Sequence, residues 1–414
     1  MVRPGYKQTE LGVIPEDWDV VSLNSLSIGG MQNGVFYEVD RKGSGVSFLN
    51  VGDLYGDTPI RSSALQKFNA TRNEIERFKI NSGDLFFTRS SIVPSGIAYC
   101  NWYYGSDEEV TVFDSHVVRF KTNLNKVVPM YLYLQCISPS SRKYFIANSK
   151  TATMTTIDQA VLGECQIALP LKKEQEKIAQ TISDIDYLIT NLEKKLAKKK
   201  AIKQGAMQEL LTGKRRLPGF DGEWVDLEIG KHGHLLRESI DPQAHPNVMF
   251  SEYSMPAFDD GQMAVKKYGA DMHSNRTAIY GTVLLFNKLN VRQKRIWLVN
   301  AMENHAVCSS EFLPYYSETI DLRLLQQLLS TEKITNDFIG MSTGTSNSQK
   351  RITPKNFLEY TVYVPRDINE QAAIADILAD MDSEISQLQQ TLEKYRLIKQ
   401  GMMSELLTGR IRLV

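Results

Sequence analysis

The sequence predicts an α+β protein of two α+β domains separated by two long antiparallel coiled-coil helices, with a pseudo-twofold internal repeat. Three observations predict it. Residues 174–217 (EQEKIAQTISDIDYLITNLEKKLAKKKAIKQGAMQELLTGKRRL) and 370–413 (EQAAIADILADMDSEISQLQQTLEKYRLIKQGMMSELLTGRIRL) align without a gap at an offset of 196, with 22 of 44 positions identical. The chain is therefore two half-copies. Within each copy, apolar residues recur in steps of four and three, the seam of a left-handed coiled coil. The segment before each copy has β-rich runs, a helical stretch, a hydroxyl-rich run and a closing strand, in the same order. The predicted boundaries are 1–170, 171–216, 217–365 and 366–414.

The first segment carries VSFLNVGDLYGD, INSGDLFFTRSS, SGIAYCNWYYG and FDSHVVRF, then helical MYLYLQCISPSSRKYFIANS, then TATMTT and QIALP. The second carries AIYGTVLLFNKLN and RIWLVN, then DLRLLQQLLSTEKITNDFIGMS, TGTSNSQKRIT and YTVYVP. Landmarks pair: Trp18 with Trp224, Gly83 with Gly281, Phe145-Ile146 with Phe338-Ile339. Their offsets wander from 193 to 206, so the domains share a fold while loops differ. The helices stayed alike and the domains diverged. Like helices face like partners or each other, and unlike domains recognise unlike targets.

The predicted helix seam is Ile178, Ile182, Ile185, Ile189, Leu192 and Leu196 in the first copy. In the second it is Ile374, Leu378, Met381, Ile385, Leu388 and Leu392. So narrow a stripe needs a partner, and the other copy is the simplest one. Asp367 with Glu370 reads as a capping box. Gly213 and Gly409 read as helix stops. About 36 helical residues give a rod of roughly 55 Å. Gly205 and Gly401 sit inside the helices at equivalent positions, each costing about 1 kcal/mol relative to alanine. A packing glycine or a kink is expected there.

With 48 Lys and Arg against 48 Asp and Glu, the chain is formally neutral. The charge is uneven: residues 172–216 carry 12 cations against 6 anions, and 366–412 carry 6 against 8. Helices of opposite sign side by side attract modestly, since exposed pairs contribute about 0.2–1 kcal/mol each. The polar start is not a signal peptide, and no apolar run approaches membrane-spanning length. Four scattered cysteines without a CxxC pair predict neither a disulfide framework nor a zinc site, and a reducing cytoplasm. No metal site is expected. Walker A, GxSxG and Asn/Asp-Pro-Pro-aromatic motifs are absent from the sequence, so no catalytic residues are expected on this chain.

The paired EQ…I…DxD helices ending in IKQGxMxELLTGxxRL, with ELGVIPEDW at 10–18, GDLFFTRS at 83–90 and LPGFDGEW at 217–224, resemble the specificity (S) subunit of type I restriction-modification enzymes. The resemblance covers nearly the whole chain. It implies two target-recognition domains, each reading one half of a bipartite site in double-stranded DNA, with the helices setting the spacer. It also implies docking of two modification (methyltransferase) subunits, which bind S-adenosylmethionine, and a restriction subunit for translocation and cleavage. No cofactor is implied on this chain. Gly281-Thr282 in place of Gly83-Asp84 is the one departure. Two readers on one face of B-DNA lie about one turn, roughly 34–36 Å, apart, which a rod of roughly 55 Å can span.

The DNA-contact candidates are Lys288, Asn290, Arg292, Gln293, Lys294 and Arg295. A second set is Thr343, Thr345, Ser346, Asn347, Gln349, Lys350 and Arg351. In the first domain they are Thr88, Arg89, Ser90 and Ser91, with Thr151, Thr153, Thr155 and Thr156. Arg and Lys suit guanine O6/N7, and Asn and Gln suit adenine N6/N7. A solvated charged turn, or hydroxyls serving turns, explains the same residues. Arg41 and Lys42 are weaker candidates. Trp102, Tyr103 and Tyr104 read as core or strand-face residues. The near-neutral domains predict weak DNA binding by the chain alone, because phosphate neutralisation dominates affinity. Two alternatives stay open: a coiled-coil scaffold that binds only proteins, and a nuclease or methyltransferase with scattered active-site residues.

Overall fold

The computed structural model describes residues 3–36, 38–56, 58–106, 109–344 and 349–414. They form two compact units, Met1–Leu192 with Thr391–Val414, and Glu193–Gln390. The units cut across both long helices, Lys172–Leu210 and Ile368–Leu406.

In the first unit, an antiparallel sheet runs Ser27–Asn33, Val117–Thr122, Leu85–Thr88, Cys100–Trp102. The strand LFFT is buried throughout. Its residues alternate between two cores: Leu85 and Phe87 join Trp18, Tyr131 and Ile178, while Phe86 joins Phe113 and Val117. A second sheet sets Thr111–Phe113 parallel to Lys42–Leu49, which pairs antiparallel with Gln66–Phe68. Helices Pro129–Ile137 and Pro139–Ala147 cover the first sheet, each with proline at its first position, where no N–H is needed.

The second unit repeats this plan. Its antiparallel sheet runs His234–Leu235, Phe312–Tyr316, Gly281–Asn287, Ile296–Ala301. Ala306–Ser309 lies parallel to Met249–Tyr253, which pairs antiparallel with Val265–Tyr268. Arg276–Ala278 and Ser239–Ile240 extend that sheet by two strands. Helices Leu322–Leu329 and Glu332–Met341 match the earlier pair.

Strand register gives the exact correspondence between the domains. Phe87 pairs with Cys100 and Val118, and Phe286 with Ile296 and Leu313. Leu85 therefore matches Leu284, and the expected Gly83–Gly281 pairing is off by one. Asp84, buried and ion-paired with Arg119, has its place taken by Val283, also buried. Arg119 opposes Phe86, and Pro314 opposes Leu285, so Pro314 takes the arginine's place. An ion pair has been exchanged for apolar contact, often a near-neutral swap.

The seam residues divide their work. Ile178 and Ile182 are fully buried in the first unit's core with Leu406 and Leu407. Ile374 and Leu378 are buried in the second unit's core with Leu210 and Leu211, and Met381 packs against it. Ile185, Ile189 and Leu392 are buried, while Leu192, Leu196, Ile385 and Leu388 are half-buried. The stripe thus starts in a domain core and continues as a helix–helix seam; helix pairing alone does not cover it. In the second unit Lys199 meets Glu384 at 2.7 Å and Lys203 meets Asp382 at 2.6 Å. The number on one helix rises as the other falls, so the helices run antiparallel. In the first unit Asp186 meets Lys399 at 2.6 Å.

Gly213 and Gly409 end the helices with φ of 68° and 67°, as expected of helix stops. Two expectations fail. Gly205 and Gly401 have nothing within 4 Å of an added Cβ, so neither marks a close helix approach. The capping box does not form either. Asp367 accepts from the Asn369 N–H at 2.9 Å, but Glu370 faces Arg216 at 2.7 and 2.8 Å instead.

The repeated Glu-Gln pair fastens each helix to its domain. Gln175 accepts from the Val128 N–H at 2.9 Å and donates to the Pro170 carbonyl at 2.9 Å. Gln371 does the same with Asp321 at 2.9 Å and Pro365 at 2.8 Å. Glu174 is gripped by Arg412 at 2.8 and 2.9 Å and by the Trp18 indole N–H at 3.1 Å. Arg412 also forks onto Asp17 at 2.9 and 2.8 Å.

Candidate nucleic-acid interface

The two predicted clusters of the first domain meet in one small sheet. Ser90–Ser91 pairs with Thr155–Thr156, which pairs with Lys150–Thr151. Thr88 and Thr155 are fully buried and Ser91 nearly so; Arg89, Thr151, Thr153 and Thr156 are exposed, and Ser90 is half-buried. Thr88 holds the loop that follows: its hydroxyl donates to the Gly96 carbonyl at 2.8 Å and accepts from the Tyr99 N–H at 2.9 Å. Thr155 bonds Thr151 at 3.0 Å. Thr88 and Thr155 are scaffold, and only the exposed members can reach a ligand.

The second domain builds the same frame from different residues. Leu289 bridges Arg351, and Arg351 bridges Thr343. The Ile157 N–H donates to Arg89 O at 3.2 Å, and the Ile352 N–H donates to Lys288 O at 3.1 Å. Arg89 and Lys288 are therefore equivalent cations, each beside a buried isoleucine. A short 3-10 turn follows in both, Pro94–Gly96 and Val291–Gln293.

Ion pairing separates the predicted cations. Arg295 forks onto Asp259 at 2.8 and 2.7 Å. The Arg295 hydrogen bonds hold the Asp259 carboxyl below the usual range. Lys294 is ion-paired with Glu332. Arg351 meets Glu311 at 3.2 and 3.0 Å, and those bonds raise its pKa further. Arg292 and Gln293 are exposed, and Lys288 and Lys350 half-buried; none of the three cations Arg292, Lys288 and Lys350 has an ion pair among the described residues. Asn290 and Lys294 hold left-handed backbone at φ 51° and 48°, a conformation unusual for non-glycine residues. It turns the loop sharply at both ends of Val291–Gln293. Thr343 and Gln349 are exposed. Thr345, Ser346 and Asn347 lie outside the described residues.

The weaker candidates are otherwise engaged. Arg41 binds Glu74 and the Asn69 carbonyl. Tyr103 is buried and Trp102 half-buried, while Tyr104 is half exposed under Arg61. Sequence reasoning missed Ile92, Val93 and Met154, which stand exposed at the edge of the first frame. An apolar residue inside a Ser/Thr-rich turn was the available signal.

No group of three or more His, Cys, Asp or Glu among the described residues is placed to hold a metal ion. Among the described residues no helix is long and apolar enough to cross a membrane. Burial pushes the thiols of Cys165 and Cys308 up to about 12, so both stay protonated.

Comparison with known proteins finds a match to the family model for the type I restriction modification DNA specificity domain over residues 15–204. A Methanocaldococcus jannaschii protein assigned as the type I restriction enzyme MjaX specificity subunit is 24% identical, over 98% of this chain and 96% of its own. The MjaVIII specificity subunit of the same organism is 21% identical, over 96% and 94%. Among solved structures, the S subunit of a type I restriction-modification system from M. genitalium matches with TM-score 0.59 at 12% identity, over 94% and 96% of the two chains. A chain from a study of type I complex assembly and conformational transition matches with TM-score 0.53 at 12% identity, over 96% and 99%.

Proposed function

We propose that the chain is a DNA specificity subunit of a type I restriction-modification system, in which each domain reads one half of a bipartite target in double-stranded DNA. The family recognises DNA and leaves the chemistry to other subunits of the restriction-modification complex. The observation that carries the reading is the shared frame. Both domains set a cation, Arg89 or Lys288, beside a three-segment ladder and a 3-10 turn. The residues displayed on those frames differ between the domains, as two readers of different sequences require.

Two modification subunits dock on the repeated helices, bind S-adenosylmethionine and transfer its methyl group to the target, and restriction subunits join that assembly. The equal length of the helices, 39 residues each, and the exposed Ile, Gln and Gly of their repeated IKQG segments support two like docking faces. Both long helices set the spacer between half-sites. The test is methylation mapping with the complex assembled from this chain and its modification subunits. Methylation confined to one bipartite sequence supports the reading, and methylation without sequence preference removes it.

A further inference from the structure

The first domain presents an apolar knob on a rigid mount. Ile92 is 85% exposed and Val93 54%. The chain around them is tied down at several points. Arg142 donates to the carbonyls of Ala98 at 2.7 Å and Ser95 at 2.8 Å. Buried Thr88 holds Gly96 and Tyr99. Ser91 Oγ accepts from the Val93 N–H at 3.3 Å. A Cβ on Gly96 would lie 2.4 Å from Ser91 Oγ, so a larger residue there would displace the Ser91 hydroxyl that holds Val93. Exposed isoleucine is unfavourable in water, and nothing in a loop this constrained lets it fold back. Such pre-organisation lowers the ordering cost of binding.

The surroundings identify the occupant. Segments 88–99 and 150–156 contain no carboxylate and a row of hydroxyls; Lys150 is ion-paired with Asp158 at 2.9 Å, and Arg89 is an exposed cation. That surface suits a polyanion better than a protein face. Met154, 43% exposed, immediately precedes Thr155, the ladder partner of Ser91. In the second domain the corresponding loop runs 287–295, three residues shorter than 88–99 by strand register. Its exposed residues are Arg292 and Gln293, while Val291 is buried. One frame offers apolar carbon where the other offers hydrogen-bond donors. Thymine is the base that carries an apolar group in the major groove, and purine edges carry the acceptors that Arg and Gln match.

We propose that Ile92, flanked by Val93 and Met154, reads the C5-methyl group of a thymine in the half-site of the first domain, and that the matching loop of the second domain, 287–295, reads no methyl group. This rests on the DNA-reading function proposed above. The test uses the assembled methyltransferase complex and target duplexes with deoxyuridine replacing each thymine in turn, which deletes the methyl and nothing else. Removing one buried methyl at one position of the first half-site is expected to lower kcat/KM roughly four- to tenfold. Ile92→Ala produces a similar loss on thymine DNA and no longer distinguishes thymine from uracil; unchanged thermal unfolding of the variant shows that its fold is intact. Sequence-specific methylation that is indifferent to every uracil in the first half-site overturns the inference and leaves the DNA-reading function standing. Continued uracil discrimination by Ile92→Ala, or a loss traced to weaker assembly with the modification subunits, also overturns it. Absence of sequence-specific methylation by the wild-type complex removes the underlying reading instead.

Discussion

Substituting Arg412 by alanine should destabilise the first unit although the residue lies beyond the end of the second long helix. Its guanidinium bridges Glu174 and Asp17, with N–O distances between 2.8 and 2.9 Å. The Glu174 side chain is only 4% exposed. Removing the arginine strands that carboxylate in the interior, which typically costs 3–5 kcal/mol. The Trp18 indole and the Leu413 N–H still solvate it, so about 3 kcal/mol is the appropriate figure. For a unit of this size each kcal/mol moves Tm by about 2–4 °C, and a fall of about 6–12 °C follows. Burial pushes the Glu174 carboxyl up, but hydrogen bonds from Arg412 and Trp18 outweigh it and hold the pKa below the usual value. A depressed carboxylate contributes stability above its unfolded pKa, about 4.3, and that contribution is lost as pH falls through the folded value. The deficit of Arg412→Ala is therefore complete at pH 7 and narrows below about pH 4.3. Adding Glu174→Gln removes the stranded charge and should recover part of the loss. Differential scanning calorimetry at pH 7 and pH 3.5 measures both effects. A Tm within 2 °C of wild type, or a deficit equal at the two pH values, would show that the clasp does not hold this unit together.

Other outcomes follow from the same structure. Arg216→Ala should destabilise the second unit in the same way, since Glu370 is only 1% exposed beside it; an unaltered calorimetric transition would contradict this. Gly205→Ala and Gly401→Ala each face open space and should stabilise the free chain by about 0.5–1 kcal/mol in denaturant titration; destabilisation would mean a hidden close contact. Replacing Arg292 and Gln293 by alanine should cost about 1–3 kcal/mol of discrimination per lost base contact. Methylation of single-base target variants shows it as relaxed preference at positions in one half-site only. Inserting a heptad into both long helices at matched positions preserves their pairing and adds about 10 Å, so methylation should move to targets with about three more base pairs of spacer; an unchanged spacer would disprove the ruler.

Much of this was legible in the sequence because duplication repeats its evidence. The helices, their glycine stops and the strand order could be checked against a second copy. The buried role of Thr88 and Thr155 was not legible, since a hydroxyl in a Ser/Thr-rich run looks the same whether it holds a turn or faces solvent. Glu370 was misassigned because a local capping rule competes with a partner 154 positions away, Arg216. The Gly83–Gly281 pairing slipped by one because matching glycines ignores the strand register that Phe87 and Phe286 reveal. Ile92 escaped notice because its exposure depends on Arg142 and Gly96 fixing the loop.

The central claim is that two divergent readers sit on one repeated scaffold. Exchanging residues 218–365 for the corresponding segment of a type I specificity subunit, then mapping methylated sites with the assembled complex, tests this. One half of the bipartite target should change and the other be retained. An unchanged target, or simultaneous change in both halves, would contradict it.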